Sequence, residues 1–167
     1  MNKFSAVALL FVLLLPIGCF SADLDIGTHA SFFLPPEGGG NTLMAGIDAT
    51  YRLNDTFSAR GSVDNASYST SDHKYEVTSA SADLIWHVLG KSFFDPYLGS
   101  GVVYYVKSTD GIASSTTGLN ALAGLSLVFQ TFSAGVEVKY TVPDANDMKT
   151  GYYSSGGQLT GGLHVNL

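Results

Sequence analysis

The sequence predicts an all-β protein, an eight-stranded antiparallel transmembrane β-barrel behind an N-terminal leader, and three observations carry that prediction. The first is the stretch from Leu119 to Val142. Leu119, Ala121, Ala123, Leu125, Leu127 and Phe129 alternate with Asn120, Leu122, Gly124, Ser126, Val128 and Gln130. After Thr131 the alternation resumes through Phe132, Ala134, Val136, Val138, Tyr140 and Val142, against Ser133, Gly135, Glu137, Lys139 and Thr141. A period of two over this length means strands with one apolar face, and Gln130-Thr131 is short enough to close an antiparallel hairpin. Each arm has the roughly 9 to 11 residues with which a tilted strand crosses a bilayer. The second observation is that the pattern recurs to make eight strands, joined alternately by short turns and longer polar stretches, as membrane barrels are. The third is that the alternation persists to the last residue, where an ordinary domain frays.

The chain of 167 residues is one domain in length. Met1 to Ser21 carries Asn2 and Lys3, an apolar run from Ala6 to Leu15, then Pro16, Gly18 and Cys19-Phe20-Ser21. This is the pattern of a secretory leader cut before Ala22, which divides the chain into a signal peptide, 1–21, and a barrel domain, 22–167. The apolar run is shorter than the roughly 20 residues of a spanning helix. Leu-Pro-Ile-Gly-Cys offers a second processing route, acylation at Cys19, although Pro16 stands where that motif prefers a small or hydroxyl residue. By either route no cysteine is left for disulfides, so stability must come from hydrogen bonding and packing.

Strand one reads Leu24 to Phe33 and is broken by Pro35, Pro36 and Gly38-Gly39-Gly40. Strand two places Leu43, Ala45, Ile47, Ala49, Tyr51 and Leu53 opposite Met44, Gly46, Asp48, Thr50 and Arg52, and Asn54-Asp55-Thr56 is a tight turn. Strand three sets Phe57, Ala59, Gly61 and Val63 against Ser58, Arg60, Ser62 and Asp64. A polar segment, Asn65 to Lys74, leads to strand four, in which Ala80, Ala82, Leu84, Trp86 and Val88 alternate with Ser79, Ser81, Asp83, Ile85 and His87. Gly90 to Pro96 turns the chain into strand five, Tyr97 to Lys107, whose faces the pattern does not separate cleanly. Ser108 to Thr117 reads as a polar loop around Asp110-Gly111, and Pro143 to Gly151 as another. Strand eight carries Tyr153, Gly157, Leu159, Gly161, Leu163, Val165 and Leu167 on one face.

Alternation alone does not separate a membrane barrel from a soluble one such as a lipocalin, which turns its apolar face inward. Aromatic residues at the strand ends, among them Phe32, Tyr51, Phe57, Trp86, Tyr104, Phe129, Phe132, Tyr140 and Tyr153, flank a band of aliphatic and small residues. That arrangement suits a lipid-facing surface with interfacial girdles, whereas a soluble core would use larger interlocking side chains. The polar face is then the lumen. It holds Asp48, Arg52, Arg60, Asp64, Asp83, His87, Glu137 and Lys139, an ion-pair network filling a lumen that eight strands make just wide enough for side chains. Aligning strands two and three through their turn puts Arg60 opposite Thr50 and predicts an Asp48–Arg60 pair on the diagonal. Gly99, Gly101, Gly156 and Gly162 leave room that would favour a passage.

The net charge of −6, without a basic cluster, argues against nucleic acid as a partner. His29, His87 and His164 fall on the inward face and His73 in a loop, and no histidine has a serine and a carboxylate at a telling spacing on the outward face. Polar packing therefore accounts for them better than nucleophilic catalysis, and Asp83 with His87, four residues apart on one face, reads as part of the plug. No HExxH or Cys/His cluster points to a metal, and Gly38 to Gly40 lacks the lysine of a phosphate loop. The expectation is of no enzyme, no cofactor and no metal.

Asp95-Pro96-Tyr97-Leu98-Gly99-Ser100-Gly101-Val102, Gly118 to Phe129 before a tight turn, and the alternating final strand resemble the small outer-membrane β-barrels of OmpA, OmpX and OmpW type. The Pro-Tyr-x-Gly-x-Gly stretch is similar to the OmpW-like members in particular. The resemblance covers the mature chain and implies an outer-membrane location, both termini periplasmic, with membrane lipid, lipopolysaccharide and the barrel-assembly machinery as partners of a monomer. It implies that Leu163, Val165 and Leu167 form the C-terminal assembly signal, with Leu167 standing where the family usually ends in phenylalanine. The roles it implies run from structural or surface-interaction barrel, the reading preferred here, through a narrow channel for small hydrophobic solutes, to lipid A modification, and fold alone does not choose.

Overall fold

The computed structural model describes residues 24–34, 42–69, 74–90, 92–143 and 156–166. The leader with Cys19, the cut before Ala22, His73, Tyr153, Leu167, and most of the loops after strands one, three and seven lie outside them. Eight strands form: β1 (Leu24–Leu34), β2 (Thr42–Arg52), β3 (Phe57–Ser69), β4 (Lys74–His87), β5 (Phe94–Thr109), β6 (Ile112–Val128), β7 (Phe132–Pro143) and β8 (Gly156–Asn166). Each pairs antiparallel with its neighbour in sequence, and β1 pairs with β8 from Asp25↔Asn166 to Leu34↔Gly157, which closes the barrel. Closure removes every sheet edge along the paired stretch and satisfies the backbone internally, as a lipid environment demands.

The faces are inverted relative to a soluble barrel. Ile47 and Leu163, both 62% exposed, and Val136, 58% exposed, point outward, while Asp83 and Glu137 are buried at 4% and 5% on the inside. Burying charges while exposing large aliphatic side chains is tenable only where the outer medium is lipid. A soluble ligand-carrying barrel is thereby excluded.

Three short turns, 53–56, 88–93 and 129–131, gather at one end with the described chain ends at Leu24 and Asn166. Asn54 fastens the first of them, its side-chain oxygen accepting from the backbone N–H of Thr56 at 2.8 Å and of Phe57 at 2.9 Å. Aromatic rings cluster at this end outside the barrel, with Phe93 edge-on to Phe129 at 5.4 Å and Phe129 stacked on Phe132 at 4.4 Å.

Strand boundaries depart from the sequence reading at the opposite end. Ser108 to Thr117 is not a loop: β5 and β6 continue to Thr109↔Ile112, and only Asp110-Gly111 turns. Both residues have positive φ, 50° and 87°, the geometry of the two-residue hairpin turn whose twist matches the flanking strands. Most of Asn65 to Lys74 is likewise strand, paired from Asn65↔Thr78 to Ser69↔Lys74. In these extensions the exposed positions are themselves polar, as Asn65, Ser67, Ser115 and Thr117 are, so the apolar alternation that marks a strand facing lipid is lost. Pro96 and Phe94, placed in a turn from sequence, begin β5. Strand five itself sorts cleanly: Leu98 and Val102 face out, and Tyr97 and Val103 face in.

Candidate functional site

The lumen is the candidate site, and its side chains are set by the strand register. Arg60 (β3) reaches across to Glu137 (β7) in a bidentate pair, Nη1 donating to Oε2 at 2.7 Å and Nη2 to Oε1 at 3.0 Å. The Arg60 guanidinium also stands 3.6 Å from Asp83, whose same oxygen lies 3.5 Å from Lys139 Nζ. Asn120 Nδ2 donates to Asp83 Oδ1 at 3.0 Å, Ser81 Oγ to Oδ2 at 3.0 Å, and the Tyr97 hydroxyl to Glu137 at 3.0 Å. A bidentate pair with further donors on each carboxylate is the arrangement in which buried charges offset their desolvation.

Beside this group runs a chain of alternating carboxylates and imidazoles. Asp64 Oδ1 meets His29 Nε2, His29 Nδ1 meets Asp48 Oδ1 at 2.9 Å, and Asp48 Oδ2 meets His164 Nε2 at 2.9 Å. A ring bonded to a carboxylate at both nitrogens, as His29 is, is satisfied in full only as the imidazolium with two N–H donors. Glycines make this chain possible. Gly46 lies between His29 and Asp64 in the register, and Gly27 between Asp48 and His164. A Cβ on Gly27 would land on the His164 ring, and one on Gly46 would come within 2.8 Å of the Val63 carbonyl oxygen. Only residues without a side chain let the histidines lie across these rungs.

The predicted Asp48–Arg60 pair is corrected by these contacts. The register places Thr50 opposite Arg60 as expected, and both charged residues point inward, but Asp48 is held by two histidines and Arg60 by Glu137 and Asp83. A diagonal neighbour on one sheet lost to a partner across the lumen, which no local alignment displays.

Asp83 and His87 also separate. His87 turns instead to Asp95, Nδ1 to Oδ2 at 2.7 Å, and its Nε2 lies 2.7 Å from Ser58 Oγ. Arg52, directly opposite Ser58 in the β2–β3 register, stands 3.9 Å from Asp95. Sequence reasoning placed Arg52, Ser58 and His87 on the inner face without joining them, and left Asp95 in the turn from Gly90 to Pro96. A serine, a histidine and an aspartate on three successive strands near their short turns was the available signal.

Little space remains. A cavity of about 30 Å³, lined in part by His29, Arg60, Glu137, Lys139 and His164, has room for a few waters. The room that Gly99 and Gly101 were expected to leave is taken, at Gly99 by Leu122 and at Gly101 by Asp83. Ile85, Tyr97 and Leu122 form a buried apolar cluster within the lumen.

No protein-family model and no curated protein matches this sequence. Solved structures do. Neisserial surface protein A is 18% identical with a TM-score of 0.66, over 86% of this chain and 96% of that one. The N-terminal β-barrel domain of Pseudomonas aeruginosa OprF is 15% identical with a TM-score of 0.67, over 88% and 98%. Ail, the attachment invasion locus protein of Yersinia pestis, solved with the heparin analogue sucrose octasulfate, is 15% identical with a TM-score of 0.59, over 87% and 97%. The protein therefore has the fold of the small eight-stranded outer-membrane barrels.

Proposed function

We propose that residues 22–167, freed of a 1–21 signal peptide, form a monomeric outer-membrane barrel with a closed lumen and a structural or surface-interaction role. The observation that carries this reading is the Arg60–Glu137 pair spanning the lumen, with Asp83 and Lys139 beside it. Its partners are membrane lipid and lipopolysaccharide on the apolar outer face, and the assembly machinery that reads Leu163, Val165 and Leu167. With an even number of strands both termini share the short-turn side, the periplasmic one. The surface role falls to the opposite end, where the polar β3–β4 and β5–β6 hairpins emerge. A chain of net charge −6 is a poor match for a sulfated sugar of the kind solved with Ail.

Single-channel recording of the folded protein in a planar bilayer tests the closed lumen. Silence from protein whose folding is verified by heat-dependent gel mobility is the expected result. Discrete, reproducible openings would replace this reading with the narrow-channel one.

A further inference from the structure

We propose that Ser58, His87 and Asp95 form a nucleophilic site that accepts a short acyl group from a small ester entering at the short-turn mouth. This goes beyond the structural role above and does not depend on whether the barrel conducts. Polar packing explains that these side chains hydrogen-bond, but the order of contacts is that of an activated hydroxyl. Ser58 Oγ lies 2.7 Å from His87 Nε2, and His87 Nδ1 lies 2.7 Å from Asp95 Oδ2. The carboxylate thus fixes the tautomer that leaves Nε2 free to take the serine proton. All three sit on rigid strand positions, β3, β4 and β5.

A second observation concerns the polar atoms around this group. Arg52 Nη1 and Asp95 Oδ1 are buried with no hydrogen-bond partner among the described residues, as Arg60 Nε is in the crossing network, whereas both carboxylate oxygens of Asp83 and Glu137 are engaged. Unpaired buried polar atoms are costly and call for a further group. Arg52 is the most exposed member, its side chain 15% accessible. Arg52 faces Ser58 across the register, and its unpaired N–H is the donor we assign to the oxyanion. Ser58 itself is fully buried, which limits the substrate to short acyl chains.

The chemistry balances with these groups. Ser58 Oγ bonds to the ester carbonyl carbon as its proton passes to His87 Nε2, and the oxyanion is held by Arg52. Collapse breaks the carbon–oxygen bond to the leaving alcohol, which takes the proton back from His87. Water, deprotonated by His87, then releases the carboxylic acid and restores Ser58. Asp95 stays ionised throughout.

The test treats the full protein, isolated folded from membranes, with diisopropyl fluorophosphate and, separately, with p-nitrophenyl acetate. The expected result is one covalent adduct, mapped by peptide mass to Ser58, and ester hydrolysis that falls at least about 100-fold in Ser58→Ala. Asp95→Asn should slow adduct formation by a similar factor, an effect that a merely structural role would not have on a serine's reactivity. Ser58→Ala removes only a hydroxyl; if Asp95→Asn does not fold, His87→Gln takes its place. No adduct on the folded protein, an adduct at another residue, or labelling of Ser58 unchanged in the folded Asp95 or His87 variant would overturn the proposal.

Discussion

The two sides of the lumen solve the same problem, buried charge, by different geometry. On the β8–β1–β2–β3 side, Asp64, His29, Asp48 and His164 are linked stepwise between strands that are adjacent or separated by one glycine rung. On the other side Arg60 keeps only a 3.6 Å contact with its cross-strand neighbour Asp83 and reaches from β3 to β7 to pair with Glu137. The first network is tied to backbone register and to glycine. The second is tied to closure of the barrel, because β3 and β7 face each other only once β8 has joined β1. Buried charge can therefore report on local pairing or on global closure, depending on how far the partner lies along the sheet.

The strongest way to break this comparison is at the crossing pair. Glu137→Ala leaves Arg60 buried with only its longer Asp83 contact and should cost about 3–5 kcal/mol of unfolding free energy, measured by urea unfolding in lipid vesicles. The double change Arg60→Met with Glu137→Leu should recover most of that loss, since the two charges go together. A double variant as unstable as the single one would mean that the pair does more than neutralise itself. Next in size is the outer face. Val136→Arg beside Glu137 in sequence, but pointing into lipid, should cost about 2–4 kcal/mol if it lies near the bilayer midplane. A neutral result there would undo the inside-out assignment.

The histidine side breaks more gently. Gly27→Ala would push a methyl into the His164 ring and should cost about 1–3 kcal/mol as overpacking does. Gly161→Ala, where a Cβ meets nothing within 4 Å, should change stability by less than about 0.5 kcal/mol. Equal effects from the two glycines would remove the argument that Gly27 exists to seat His164. Small too is the effect expected at the exposed Lys74–Glu76 pair, 3.1 Å apart in the long-hairpin region. Lys74→Ala should cost less than about 1 kcal/mol, and a larger loss would show that the water-exposed hairpins contribute as the lumen does.

The strands that cross lipid were legible because their two faces meet opposite media, so Leu43 to Leu53 and Phe132 to Val142 announce themselves by alternation alone. Where the exposed positions are polar, as at Asn65, Ser67, Ser115 and Thr117, that contrast vanishes and the strands read as loop. Asp110-Gly111 was visible as a turn residue pair, and its hairpin strength outweighed the polar composition around it. Of the inner residues, Asp48, Arg52, Arg60, Asp64, Asp83, His87, Glu137 and Lys139 could all be placed on one face. Their partners could not be named beyond the neighbouring strand.

By itself the sequence determined the strand count, the apolar outer face and the identity of the charges turned inward, because each follows from a period of two within a single strand. Only the tertiary structure decided that Arg60 belongs to Glu137, that Asp48 belongs to His29 and His164, and that Ser58, His87 and Asp95 meet. Those contacts depend on the register between strands and on the closure of β1 with β8, which bring side chains from distant parts of the chain within hydrogen-bond reach.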